Sequence, residues 1–114
     1  MVIEQGDVWW AELPDPVGSG PGFRRPVVVV QCNALNRSRI ATVVVVPLTS
    51  NLDWAGAPGN VRLRPKQTGL ERDSVANVSQ IVAVDRQILA ERVGHLAKAP
   101  LMLVLAGIDV VIGQ

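Results

Sequence analysis

The chain has 114 residues, a net charge of +1 and a hydrophobic fraction of 48%, values typical of one globular domain and not of a disordered protein. The balance of 11 basic and 10 acidic residues excludes nucleic-acid binding through bulk charge alone, so any such binding must come from a local arrangement. The chain has one cysteine, which excludes an intrachain disulfide. One cysteine and one histidine are too few for the usual zinc site. No segment is typical of a signal peptide or a membrane span, and we therefore expect a cytoplasmic protein.

The first predicted strand, Asp7–Leu13, places Trp9 and Trp10 on opposite faces. One tryptophan should enter the core. The other should stay near a surface, either as an ordinary half-exposed residue or as a platform on which bases stack. Residues 13–23 are rich in proline and glycine, and this loop is long enough to suggest a functional role.

Residues 27–30 are four consecutive valines, and β-branched side chains of this kind predict a strand. The run does not alternate with polar residues, so both faces should be buried and the strand should be central. Pro26 has no N–H to donate and should be the first residue of this strand. Arg24 and Arg25 then lie at the N-terminal end of this strand, where they either form an anion site or close the strand end with an ion pair.

A second apolar strand is predicted over residues 40–48, and Thr49 and Ser50 place two hydroxyls at its end. Cys32, directly after the first buried strand, should behave as a small buried hydrophobe. Residues 51–60, which include Trp54, are predicted to form a second flexible loop.

The second half of the chain is predicted to contain short strands and one long helix. The elements are, in order, a strand over 61–64, a strand over 74–84, a helical turn over 85–89, a strand over 90–96 and a helix over 98–112. The helix is apolar nearly all round, so it should be buried against the sheet or a partner subunit, and Gly107 should mark close packing. His95 is alone and is interpreted as structural. Short strands and turn-rich links predict a small, strongly curved barrel.

Four motifs occur in the order seen in MazF/PemK-type toxins of toxin–antitoxin pairs: GDVW from Gly6, RPVVVVQ from Arg25, LTS from Leu48 and ERDSV from Glu71. The chain resembles this family from Gly6 to its last helix. The resemblance implies a mainly β fold with short helices, a small SH3-like barrel of the MazF/Kid/CcdB type with a C-terminal helix, in one domain over residues 1–114. It also implies an endoribonuclease that cuts single-stranded RNA (mRNA, or rRNA or tRNA) at a short sequence. The cut would need no metal or other cofactor, because the 2′-hydroxyl of the RNA attacks the phosphate.

The resemblance places Arg25 and Thr49 at the positions of the family's catalytic pair. A guanidinium is a poor base, so Arg25 is assigned to stabilisation of transition-state charge, and Thr49 to a hydrogen bond with the phosphate or the attacking hydroxyl. A glutamate common in the first loop of the family is missing from residues 19–22 here, so the general base is unidentified.

Six further residues are predicted to bind RNA, each with a plainer interpretation beside it. Asp73 either contacts RNA or orients Arg25, or is simply a turn residue, and Asn36 is either an RNA contact or a turn residue with positive φ. The full set is Arg24, Asn36, Ser50, Asp73, Ser74 and Gln80.

The resemblance also implies two protein partners. The toxin would form a homodimer, and a cognate antitoxin would fold into a groove flanked by loops 13–23 and 51–60. The alternative is a non-catalytic toxin of the same fold that acts by binding a protein such as DNA gyrase, but such a toxin has no need of the Arg25 and Thr49 pair.

Overall fold

The computed structural model describes residues 1–14 and 23–114. Within them the strands are β1 Asp7–Leu13, β2 Phe23–Val29, β3 Thr42–Thr49, β4 Val61–Leu63, β5 Ser74–Ala76, β6 Val82–Asp85 and β7 Leu89–His95. The α-helices are α1 Asn33–Asn36, α2 Pro65–Thr68 and α3 Lys98–Ile112, and short 3-10 turns occupy Leu52–Gly56, Val78–Gln80 and Arg86–Ile88.

The strands form one curled antiparallel sheet in the order β4-β5-β3-β2-β1-β7, with β6 also paired to β3. The curl comes from β3, whose first half pairs with β6 and whose last two residues pair with β5. One strand thereby serves two parts of the sheet that face different directions. The mainly β architecture with a C-terminal helix confirms the predicted fold class.

β2 is central and buried on both faces at its second half, as the run of valines predicts. Val28 belongs to the core under α3, and Val27 and Val29 belong to the core on the opposite face, which also contains Trp9. The predicted start of the strand was wrong, because β2 begins at Phe23 and Pro26 is its fourth residue. The missing N–H is tolerated there because β2 pairs with β3 only from Val27 onward.

Three local predictions differ from the structure, each for its own reason. The strand predicted over 74–84 is interrupted, since the Asn60 carboxamide accepts the Val78 N–H at 3.0 Å in place of a ladder partner. The 51–60 segment is ordered by its own hydrogen bonds, including one of 2.9 Å from Asn60 to the Trp54 carbonyl oxygen. Cys32 is exposed, because the chain turns outward there to begin α1.

α3 has the predicted bounds but buries only one side. Pro100, Val104 and Gly107 are buried. A Cβ on Gly107 would lie 2.0 Å from the Gly59 carbonyl oxygen, so the predicted close packing is confirmed. Within the described residues, no helix has the length and apolarity that a membrane crossing requires. The opposite side of α3 exposes large apolar side chains, namely Met102, Leu103, Val110, Val111 and Ile112.

Candidate active site

An open cleft of about 560 Å³ lies where β2 begins and β3 ends, a size in the usual range for ligand sites. Its walls come from four parts of the chain that are far apart in sequence. The lining residues are Trp10, Arg24, Arg25, Pro26, Leu48, Thr49, Ser50, Gly69, Leu70, Glu71, Arg72, Ser74 and Val93. The cleft therefore brings both predicted catalytic residues to one place.

Arg24 is held in place by its neighbours. It faces Glu12 across the β1–β2 ladder, and its guanidinium lies 2.5 Å from the Glu12 carboxylate and 3.8 Å from that of Glu91. The guanidinium carbon also lies 5.1 Å from the centre of the Trp10 ring, within the range of a cation–π contact. Much of its positive charge is therefore compensated within the protein.

Arg25 has a different environment although it is the next residue. It is half-buried, and its guanidinium has no ion pair or hydrogen bond to any residue in the described part of the chain. Five N–H donors in a rigid fork thus line the cleft without an acceptor among the described residues. Such a group is suited to bind a phosphate.

Thr49 is the last residue of β3 and is half-buried beside Arg25 in the cleft wall. Its hydroxyl oxygen accepts the Asn51 N–H at 3.1 Å. A hydroxyl carries one donor as well, and that proton stays available for a ligand in the cleft. Ser50 follows it as an exposed lining residue.

Another part of the cleft wall comes from the segment between Gly69 and Ser74. Gly69 has φ +85° and lies so close to β7 that a Cβ there would be 2.6 Å from the Val93 carbonyl oxygen. Ser74 begins β5 and is 4% exposed. Between them, Glu71 and Arg72 are exposed and line the cleft.

Glu71 and Arg72 were not predicted as site residues, although both belong to the ERDSV motif. Of Trp9 and Trp10, one was predicted to enter the core and the other to lie near a surface or form a platform for bases. Trp10 is half-buried in the cleft wall, while Trp9 is 7% exposed in the core.

Three predicted RNA contacts are not brought to the cleft. Asn36 is buried in α1, where its amide donates to the Gln31 carbonyl oxygen at 2.9 Å, and it does not have the positive φ considered for it. Asp73 accepts hydrogen bonds from Arg62 at 2.6 and 3.0 Å, so the idea that it orients Arg25 was wrong. Gln80 lies in a 3-10 turn that does not line the cleft. Of the loop over 13–23, residues 15–22 lie outside the described residues.

A second cluster ties β1 to β7 at their other ends. The carboxylate of Asp7 is 1% exposed and receives His95 Nδ1 at 2.9 Å, Arg92 Nε at 3.2 Å and Trp9 Nε1 at 3.3 Å. Burial alone would raise the pKa of Asp7, but the hydrogen bonds from His95, the Glu4 amide, Trp9 and Arg92 lower it on balance. Glu4, Asp7 and His95 have potential metal ligands within 4.8 Å of one another. The Asp7 oxygens already have these donors, and the arrangement agrees with a structural role for His95.

The fold is that of a small β protein, with a curled antiparallel sheet and a C-terminal helix. Its cleft combines two hydroxyls with an arginine that has no partner among the described residues. Comparison with known proteins identifies the family. The chain belongs to the PemK-like, MazF-like toxins of type II toxin–antitoxin systems, whose family model matches residues 4–112.

Among relatives, the endoribonuclease MazF6 of Mycobacterium tuberculosis is 47% identical over 96 residues, with 84% of each chain covered. The endoribonuclease EndoA of Bacillus subtilis is 38% identical over 96 residues, covering 84% of this chain and 82% of that one. The crystal structure of MazF from Deinococcus radiodurans superposes with a TM-score of 0.82 at 23% identity, covering 100% of this chain and 99% of that one, and so agrees in fold. The resemblance drawn from the four motifs is thereby confirmed.

Proposed function

We propose that the protein is a toxin endoribonuclease that cuts single-stranded RNA at a short sequence and works without a metal. The observation that carries this proposal is the guanidinium of Arg25, unpaired among the described residues, in the same open cleft as the Thr49 hydroxyl. Relatives at 47% and 38% identity that are named endoribonucleases support it.

The chemistry follows from what these groups can do. The 2′-hydroxyl of the RNA attacks the adjacent phosphate in line, and negative charge builds up on the phosphate oxygens. Arg25 stabilises this charge through two parallel N–H donors, and Thr49 donates its remaining proton to a phosphate oxygen or holds the attacking hydroxyl. Because the guanidinium supplies the positive charge, the reaction has no requirement for a divalent ion.

The substrate is unpaired RNA. An open cleft can bind a nucleotide whose base is unstacked, whereas the bases of a double helix are stacked and paired. Of the six predicted RNA contacts, the cleft supports Arg24, Ser50 and Ser74. The charge of Arg24 is already paired with two glutamates, so it contributes little to phosphate binding. Its main role is to hold the Trp10 ring, over which its guanidinium lies.

The protein acts in the cytoplasm as a homodimer and is silenced by a cognate antitoxin. The exposed apolar side of α3 supports association, because Leu103 and Ile112 remain 58% and 59% exposed. A two-fold dimer is the commonest way to cover such a surface. Sedimentation measures the mass of the particle in solution. A single species with the mass of a monomer at a protein concentration of about ten micromolar, above typical dimer dissociation constants, would exclude the dimer.

The activity is tested with purified protein and single-stranded RNA in EDTA. We expect discrete cuts whose products carry a 2′,3′-cyclic phosphate or 3′-phosphate and a free 5′-hydroxyl. An RNA with a single deoxyribose at the cleavage position should bind and remain intact. Cleavage of that RNA, or an absolute need for added magnesium, would show that the reaction is a different one.

A further inference from the structure

Attack by the 2′-hydroxyl requires a group that takes its proton. The guanidinium of Arg25 is always protonated and cannot accept a proton, and the hydroxyl of Thr49 is far too weak a base. His95 would be the usual choice, but it is bound to Asp7 and does not line the cleft. The acceptor must therefore be another residue.

The carboxylates around the cleft differ in whether a basic side chain is paired with them. Glu12 and Glu91 are both paired with Arg24, and Asp73 is paired with Arg62. Glu71 has no hydrogen bond or ion pair to any residue that the structure describes, and it is the one carboxylate among the described residues that line the cleft.

The position of Glu71 is also defined by the fold. Two residues before it, Gly69 packs against the Val93 carbonyl oxygen, and three residues after it, Ser74 pairs with Leu63 in the sheet. The short segment between these anchors lines the same cleft as Arg25. A carboxylate mounted in this way is free to meet a ligand and does not have to break an internal contact first.

We propose that Glu71 is the general base of the cleavage reaction, an inference that rests on the proposed endoribonuclease function. Its ionised carboxylate takes the proton of the 2′-hydroxyl while the O2′–P bond forms and the P–O5′ bond breaks. The departing 5′-oxygen takes a proton from solvent, and Glu71 then returns its own proton to solvent. The atoms and charges balance without an added reagent.

The direct test compares Glu71→Gln, Glu71→Asp and the parent on one RNA. Glu71→Gln should reduce kcat on the order of a hundredfold to ten-thousandfold, the range for loss of a general base, and should leave KM little changed. Glu71→Asp should recover part of kcat, because it restores a carboxylate at a shorter reach. Glu4→Gln is the matched control, since it makes the same chemical change at an exposed carboxylate outside the cleft, and it should change neither constant.

Two further measurements separate a base from a merely structural residue. The parent should lose activity as the pH falls, because the base must be ionised, and this loss should be absent in Glu71→Gln. An RNA with sulfur in place of the 5′-bridging oxygen has a leaving group that needs no proton, so it should not rescue Glu71→Gln. Circular dichroism should show an unchanged fold, since the side chain has no internal partner among the described residues.

The outcomes distinguish this inference from the activity on which it rests. If the parent cuts RNA and Glu71→Gln cuts it as fast, or keeps the same loss at acid pH, Glu71 is not the base. If Glu71→Gln retains kcat while Asp15→Asn, a change outside the described part of the chain, abolishes it, Glu71 is likewise not the base. Rescue by the sulfur substrate would make Glu71 an acid and overturn the assignment. If the parent cuts no RNA, both the activity and the inference fail.

Discussion

The two neighbouring arginines should respond differently to the same substitution. Lysine keeps the positive charge but loses the planar fork and two of the five donors. At Arg25, which has no partner among the described residues, the change removes no contact that stabilises the fold. At Arg24 it weakens two ion pairs and a cation–π contact.

The magnitudes follow from these surroundings. Removing a preorganised donor to a transition-state oxyanion typically costs roughly a hundredfold to a thousandfold in kcat, which we expect for Arg25→Lys with an unchanged Tm. The ion pairs of Arg24 are about half exposed, with side-chain exposures of 46% for Arg24 and 56% for Glu12. Such pairs contribute about 1 kcal/mol or less each, and the cation–π contact about as much. The pair with Glu91, at 3.8 Å and with Glu91 69% exposed, adds little. The Glu12 pair and the cation–π contact together then limit the loss to about 2 kcal/mol, or roughly thirtyfold, for Arg24→Lys, and we expect it in Tm and KM before kcat.

The assay is single-turnover cleavage of one fluorescent RNA, with binding measured separately on the deoxyribose-substituted RNA. Thermal unfolding of both variants reports on the fold. If Arg24→Lys lowered kcat as much as Arg25→Lys, or if Arg25→Lys lost Tm and not kcat, the division of roles read from their contacts would be wrong.

Three further changes test other parts of the structure. Thr49→Ala should lose on the order of a hundredfold in kcat, and Thr49→Ser should keep measurable cleavage because the hydroxyl survives. Gly107→Ala would gain about 1 kcal/mol in an isolated helix. Here the new Cβ would meet a backbone oxygen at 2.0 Å, and the resulting strain should lower the free energy of unfolding by about 1–3 kcal/mol. Gly56→Ala, with no atom near the added Cβ, is the control in urea denaturation. The lowered pKa of Asp7 means that its ionised form stabilises the fold at neutral pH, and that this stabilisation is lost as the pH falls through the lowered pKa. Asp7→Asn should therefore lower Tm at neutral pH by an amount equivalent to roughly 1–3 kcal/mol and should flatten the decrease of Tm in acid. An unchanged Tm profile would mean that the contact with His95 contributes nothing.

The sequence by itself determined the elements whose cause is local. Four consecutive valines specify a buried strand, because stiff β-branched side chains suit a pleated surface on either face. The bounds of α3 were predicted correctly, and so was the close approach at Gly107, because only a residue without Cβ fits there. The placement of Arg25 and Thr49 in one cleft also agrees with the motifs that the sequence contains.

The tertiary structure alone decided which side chains are free and which are engaged. Arg24 and Arg25 are equivalent in sequence, but Glu12 and Glu91 approach only the first of them. Asp73 stands 11 residues from Arg62 and is nevertheless occupied by it, since β4 and β5 lie side by side. An ion pair depends on where two distant strands meet, and local propensity carries no information on that distance. This is why Glu71, left unpaired among the described residues by the same packing, becomes visible as a candidate only in the folded chain.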